Sequence, residues 1–143
     1  MTSPRAYEGA CHCGAIGFVF RTALEPGQWS VRACQCTFCR LHATLSASDP
    51  AGSLEFKEHV PSALQRYRFG RKTADFLLWR NCGGYIGATM QSGARRFGII
   101  NARVLHTLLD RLPAPAPMDY DGENTAGRNE RREQRWTPVT AGP

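Results

Sequence analysis

Six cysteines are the residues of this 143-residue chain whose types and spacing could do chemistry. Cys11 and Cys13 lie in "ACHCG", Cys34, Cys36 and Cys39 in "ACQCTFC", and Cys82 stands alone in "FLLWRNCGGYIG". The start "MTSPRAYEGA" has no apolar leader core, and no run of about 18 apolar residues is long enough to span a membrane, so a soluble, cytoplasmic protein is expected. In a reducing compartment thiols stay free, and tight clusters of them point to metal rather than disulfides. Cys-X-Cys also suits a local disulfide poorly, because bridging neighbours two apart strains the chain.

Thiolate is a soft, anionic ligand that selects zinc among common metals, and zinc takes four ligands in a tetrahedron. Six cysteines cannot close two all-cysteine sites. They can make one closed site with two left over, or two sites of three thiolates each with the fourth position open. Spacing favours the second arrangement. Cys34, Cys36 and Cys39 form C-X-C-X2-C, which wraps one metal at little loop-closure cost. Cys11 and Cys13 then need Cys82, which strand pairing must bring across to them. Three protein ligands plus an exchangeable fourth is how catalytic zinc is built. The competing reading is that both clusters only hold the fold together, since thiolate-zinc binding stabilises small domains.

The elements that must position these groups read as mainly β. "AIGFVFR" alternates Ile16, Phe18 and Phe20 on one face directly after the first pair, and "QWSVRACQC" reads as a strand running into the second cluster. "TFCRLHATL" suits one helical turn. "RYRFGRKTADFLLWR" reads as a hairpin turning near Gly70 to Lys72, and "YIGATMQSGARRFGIIN" as another turning at "QSGA". One short helix is expected at "VLHTLLDRL". Pro113, Pro115 and Pro117 should end regular structure, so a zinc-binding domain over 5–112 is expected, followed by a Pro-rich linker and basic C-terminal arm over 113–143. In that arm "RNERREQRW" suits a short helix packed back through Trp136, and Glu130 and Glu133 interrupt its positive charge, which disfavours nucleic acid as a partner.

"GACHCGAI", then "ACQCTFCR", then a cysteine followed by glycine in a hairpin, in this order and spacing, resembles the glutathione-dependent formaldehyde-activating (GFA) or CENP-V-like domain family over roughly residues 7 to 110. The resemblance implies an Mss4-like fold of several small twisted antiparallel sheets around zinc sites, with few short helices. It also implies a structural zinc at Cys11, Cys13 and Cys82 and a catalytic or ligand-binding zinc at Cys34, Cys36 and Cys39. The family's later C-X2-C-G falls on "WRNCG", so Trp79 stands where its first cysteine would be. Tryptophan offers only an N–H donor and cannot ligate zinc. Water, an anion or one of His12, His42, His59 and His106 would complete that site, or it is weak or empty.

The reaction the resemblance implies is the addition of glutathione or a related thiol to formaldehyde or another aldehyde, a carbon-sulfur lyase in its synthetic direction. His42, three residues after Cys39, is the best-placed proton shuttle. The net charge of +6 suits an anionic small-molecule thiol. Arg40, Arg95 and Arg96 are candidates to meet its carboxylates or are ordinary surface arginines. The alternatives are a non-catalytic zinc-stabilised binding module with a basic surface, and a redox or disulfide protein. The oligomeric state, a homo-oligomer included, stays open.

Overall fold

In the computed structural model, which describes residues 3–61 and 64–143, the alternating stretch after the first cysteine pair forms a strand with both faces covered. β1 (Arg5–Ala10) and β2 (Ile16–Thr22) make an antiparallel hairpin in which Arg5 faces Thr22 and Ala10 faces Gly17. Ile16, Phe18 and Phe20 are at most 2% exposed. Intervening Val19 is buried as well, because β2 sits between two strands and both of its faces are covered.

β3 (Val31–Cys34) leads into α1 (Thr37–Leu41), and β4 (Ser46–Ala47) returns antiparallel to β3. β5 (Ser53–Glu58) pairs with β2. β6 (Leu64–Tyr67) and β7 (Asp75–Trp79) form the first expected hairpin, and β8 (Tyr85–Ser92) and β9 (Arg95–Asn101) the second. The segment expected as a helix at "VLHTLLDRL" is instead a pair of 3-10 turns, Ala102–Val104 and His106–Arg111. None of His106–Arg111 is buried, so no apolar face rewards a longer α-helix.

The C-terminal stretch expected as a linker and arm carries regular structure that belongs to the same sheet network. β10 (Ala116–Met118) runs parallel to β3, with Pro117 opposite Ala33. An edge strand tolerates the proline because the missing N–H would face outwards. α2 (Thr125–Arg135) starts at Asn124, whose side chain accepts from Gly127 N at 2.7 Å. β11 (Thr137–Ala141) then inserts between β5 and β9, parallel to the first and antiparallel to the second.

The order β1-β2-β5-β11-β9-β4-β3-β10, with β8, β7 and β6 branching from β9, joins eleven strands. The fold is mainly β. It departs from purely antiparallel sheets in those two parallel pairs, both made by the C-terminal segment.

Buried polar groups lock that segment in place. Asp49 accepts from Thr22 Oγ1 at 2.5 Å, its own N–H donates to Thr137 Oγ1 at 2.8 Å, and Ser48 Oγ donates to Arg135 O at 2.7 Å. Trp136 packs on Ala88, Met90, Phe97 and Ile99 of the β8–β9 hairpin. Burying a side chain of that size contributes about 2 to 3 kcal/mol. Among the described residues no helix is long and apolar enough to cross a membrane.

Candidate metal centres and the cavity beside one of them

Two turns, far apart in sequence, bring the first sulfur group together. After β1 the chain bends at Cys11 to Gly14, where Gly14 N donates to Cys11 O at 2.9 Å and Cys11 N to Ile16 O at 2.9 Å. After β7 it bends again, with Gly83 N donating to Trp79 O at 2.8 Å and Trp79 N to Gly84 O at 3.0 Å. In both turns the leading residue, Cys11 or Trp79, donates to the carbonyl five positions on. A Cβ on Gly84 would stand 2.9 Å from Cys11 Cβ and 3.3 Å from Cys82 Sγ, so glycine lets the two turns touch. Trp79 thus occupies the backbone position of a first ligand while its indole goes into the main core, 1% exposed, with Nε1–H buried and unpartnered among the described residues.

The sulfurs of Cys11, Cys13 and Cys82 lie within 4.8 Å of one another. Cys11 and Cys13 are 3.7 Å apart, which matches the separation of about 3.8 Å for two sulfurs on a tetrahedral zinc with bonds of about 2.3 Å. Ile16 N donates to Cys11 Sγ at 3.5 Å, the kind of outer contact that fixes a ligand's orientation. Burial raises the Cys82 thiol, but backbone N–H groups of Cys13 and Gly84 and the neighbouring thiols outweigh it and bring it to about 7. Among the described residues no histidine or carboxylate joins the group. His12, His59 and His106 are exposed.

The second group forms where β3 meets α1. Cys34 ends the strand, and Cys36 caps the helix, its sulfur accepting from Cys39 N at 3.4 Å. Cys39, on the first turn, is 6% exposed. The three sulfurs again lie within 4.8 Å. Hydrogen bonds from the thiols of Cys34 and then Cys39 hold Cys36 at about 2, far below the ordinary thiol range, while the bond to Cys36 pushes Cys34 up and bonds to Cys34 and then Cys36 push Cys39 up. Three thiols this close together favour exchange of their protons for a soft divalent cation. Thr44 Oγ1 is buried with no hydrogen-bond partner among the described residues, and its hydroxyl beside Cys39 partly offsets the upward shift of that thiol. Asn101 holds the following loop, accepting from Leu45 N at 3.1 Å and donating to Tyr85 O at 3.0 Å. All six cysteines are free thiols. Both donor sets suit zinc.

The second group opens on a cavity. Cys34, Cys36 and Cys39 line a space of about 100 Å³ whose other walls include Phe69, Phe76 and Trp136 and the arginines Arg32, Arg128, Arg131 and Arg132. Arg128 and Arg131 are tied to Glu123, at 3.6 and 2.7 Å, and Arg131 lies 3.7 Å over the Tyr120 ring. Arg132 lies 4.8 Å over the Trp136 ring and donates to Thr73 Oγ1 at 2.7 Å, and burial pulls it down to about 10. These arginines escape a motif search. The signal available was the spacing of four between Arg128 and Arg132, which places both on one face of α2, with Trp136 at its C-cap.

The arginines singled out from sequence lie elsewhere. Arg40 is exposed on α1, Arg95 stacks over Phe97 at 4.7 Å, and Arg96 donates to Gly142 O at 2.8 Å and to Pro143 O. None of them lines the cysteine cavity. His42 caps the end of α1, with Nδ1 3.0 Å from Phe38 O and its ring 4.3 Å from the Phe38 ring. It lines a neighbouring groove with Leu41 and Tyr67 rather than the cavity.

No protein-family model matches the sequence, and no curated protein matches it. A crystal structure of a Rhodobacter sphaeroides protein, a structural-genomics target, is similar, with a TM-score of 0.56 and 25% identity over 78% of this chain and 98% of that one.

Proposed function

We propose that this chain is a zinc-dependent carbon-sulfur lyase of the GFA or CENP-V-like kind, acting in the direction that joins a thiol to an aldehyde. The observation that carries the reading is the convergence of Cys34, Cys36 and Cys39 on a cavity with no fourth protein ligand among the described residues. A zinc ion held there would supply the Lewis acidity that keeps a thiol deprotonated at neutral pH. The cavity walls then hold the thiolate sulfur near the carbonyl carbon and limit water. The new C–S bond takes the sulfur lone pair, the C=O π pair moves to oxygen, and that oxygen takes up the proton the thiol gave up on binding. Cys11, Cys13 and Cys82, which do not line that cavity, serve a structural zinc in this reading.

The test is formation of S-hydroxymethyl adducts from formaldehyde with glutathione and with smaller thiols, followed by NMR. Zinc analysis of protein purified without chelators accompanies it. Turnover above buffer that is lost in Cys36→Ser, together with loss of one of two bound zinc ions, is expected. No rate above buffer with any thiol-aldehyde pair overturns the reading.

A further inference from the structure

Three chemistries meet in the cavity of about 100 Å³: sulfur donors from Cys34, Cys36 and Cys39, apolar walls from Phe69, Phe76 and Trp136, and guanidinium groups from β3 and α2. Two of those guanidinium groups are largely uncommitted. Arg132 is 6% exposed, yet among the described residues its single hydrogen bond runs from Nη1 to Thr73 Oγ1, and its Nε is buried without a partner. Arg32, two residues before Cys34, makes among the described residues a single bond from Nη2 to Ser48 Oγ at 2.8 Å. A guanidinium carries five N–H donors, so each keeps four to offer. Among the described residues neither has a carboxylate within ion-pair distance, whereas Arg128 and Arg131 share Glu123. A buried cation left without an anion is costly, and a planar, oxygen-bearing anion is what such a fork is shaped to receive.

We propose that the cavity beside Cys34, Cys36 and Cys39 is a subsite for a small thiol carboxylate, its sulfur at the cysteines, its methylene body on the aromatic wall and its carboxylate on Arg132 and Arg32. The inference rests on the lyase reading for its thiol and goes beyond it in the size and charge of the substrate. Volume sets the size. The space is well short of the roughly 300 to 1,000 Å³ that encloses a drug-sized ligand, so a short mercapto-acid fits whole where a tripeptide does not. The C-terminal helix thereby becomes the part of the chain that chooses the substrate.

The experiment compares 3-mercaptopropionate, uncharged 2-mercaptoethanol, glutathione and propionate on the zinc-loaded full chain by calorimetry. Cobalt-loaded protein reports sulfur binding separately through its charge-transfer absorption. The expected result is that 3-mercaptopropionate binds at least about tenfold more tightly than 2-mercaptoethanol and more tightly than glutathione, as one charge-assisted contact predicts. In Arg132→Gln the advantage over 2-mercaptoethanol falls toward parity while 2-mercaptoethanol binding and metal content hold. Because Arg132 also braces Thr73 and Trp136, Arg32→Gln, which gives up only the bond to Ser48, is the second variant and should show the same collapse. Equal binding of the charged and uncharged thiols, an advantage that survives both variants, or tighter binding of glutathione overturns the subsite. Propionate covers a chain that takes up no metal: binding lost in both arginine variants supports the subsite, and no binding overturns it. Charge-selective binding without aldehyde turnover would sink the lyase and keep the subsite. Turnover indifferent to thiol charge would do the reverse.

Discussion

Cys11, Cys13 and Cys82 sit on two facing hairpin turns with Cys13 in solvent, whereas Cys34, Cys36 and Cys39 sit where a strand meets a helix, at the wall of a cavity completed by α2. Each group offers three sulfurs at metal-binding distance. Around the first, the backbone position of a further ligand falls to Trp79, whose indole turns into the core, and Gly84 holds the two turns in contact. Around the second, the sulfurs face a cavity edged with arginines. Donor count therefore does not distinguish the two groups. The separation comes from what the neighbouring elements do with the fourth position.

Trp79→Cys is the sharpest way to break this contrast, and its two effects have opposite sign. The turn places residue 79 where Cys11 stands in the other turn, so a thiol there should add a fourth ligand and slow metal loss to a competing chelator. The same change empties the volume of an indole from the main core, which should destabilise the metal-free protein by about 3 kcal/mol or more in urea unfolding. Slower metal release with a weaker metal-free fold is the expected pair. Unchanged release would show that the Trp79 turn is no ligand position.

Gly84→Ala attacks the contact that joins the two turns and should cost about 1 to 3 kcal/mol as an overpacking change. Its Cβ meets Cys11 Cβ at 2.9 Å, backbone-anchored on both sides, so the turns must part. Metal should be lost from this group while Cys34, Cys36 and Cys39 keep theirs, read by zinc content per chain. Loss from both groups, or from neither, would contradict the separation of the two centres.

How much of this was legible in the sequence follows the range of the forces involved. The hairpins, α1 and both sulfur groups were readable, because alternation, turn glycines and cysteine spacing are local signals. That Cys82 joins Cys11 and Cys13 was readable by elimination. The cavity was not. Apart from Arg32, its arginines lie in α2, roughly a hundred residues after the cysteines, and reach them only because β10 pairs with β3 and β11 threads between β5 and β9. The triple proline hid that pairing, since proline at a sheet edge and proline in a linker look alike in sequence. Charge composition was equally mute: Arg96 and Arg132 look alike in sequence, and one binds the chain terminus while the other faces the cavity.

His42→Ala has the smallest expected effect and tests the contrast from the opposite direction. Its position three residues after Cys39 suggests a side chain one turn above the metal site. α1, however, ends at Leu41, and His42 caps it with its ring against Phe38, four residues back. That contact turns the imidazole to the groove shared with Leu41 and Tyr67, away from the arginine-edged cavity. Removing it should cost about 0.5 to 1.5 kcal/mol of stability through the lost ring contact. Thiol-aldehyde turnover should stay within about twofold and the pH profile of kcat/KM should not move, where a positioned general base would be worth about 100-fold or more. A fall of that larger size, with one limb of the profile gone, would put the proton transfer on His42 and require α1 to rearrange when substrate binds. An unchanged profile leaves proton transfer to the groups lining the cavity, and directs the search to the side where α2 closes it.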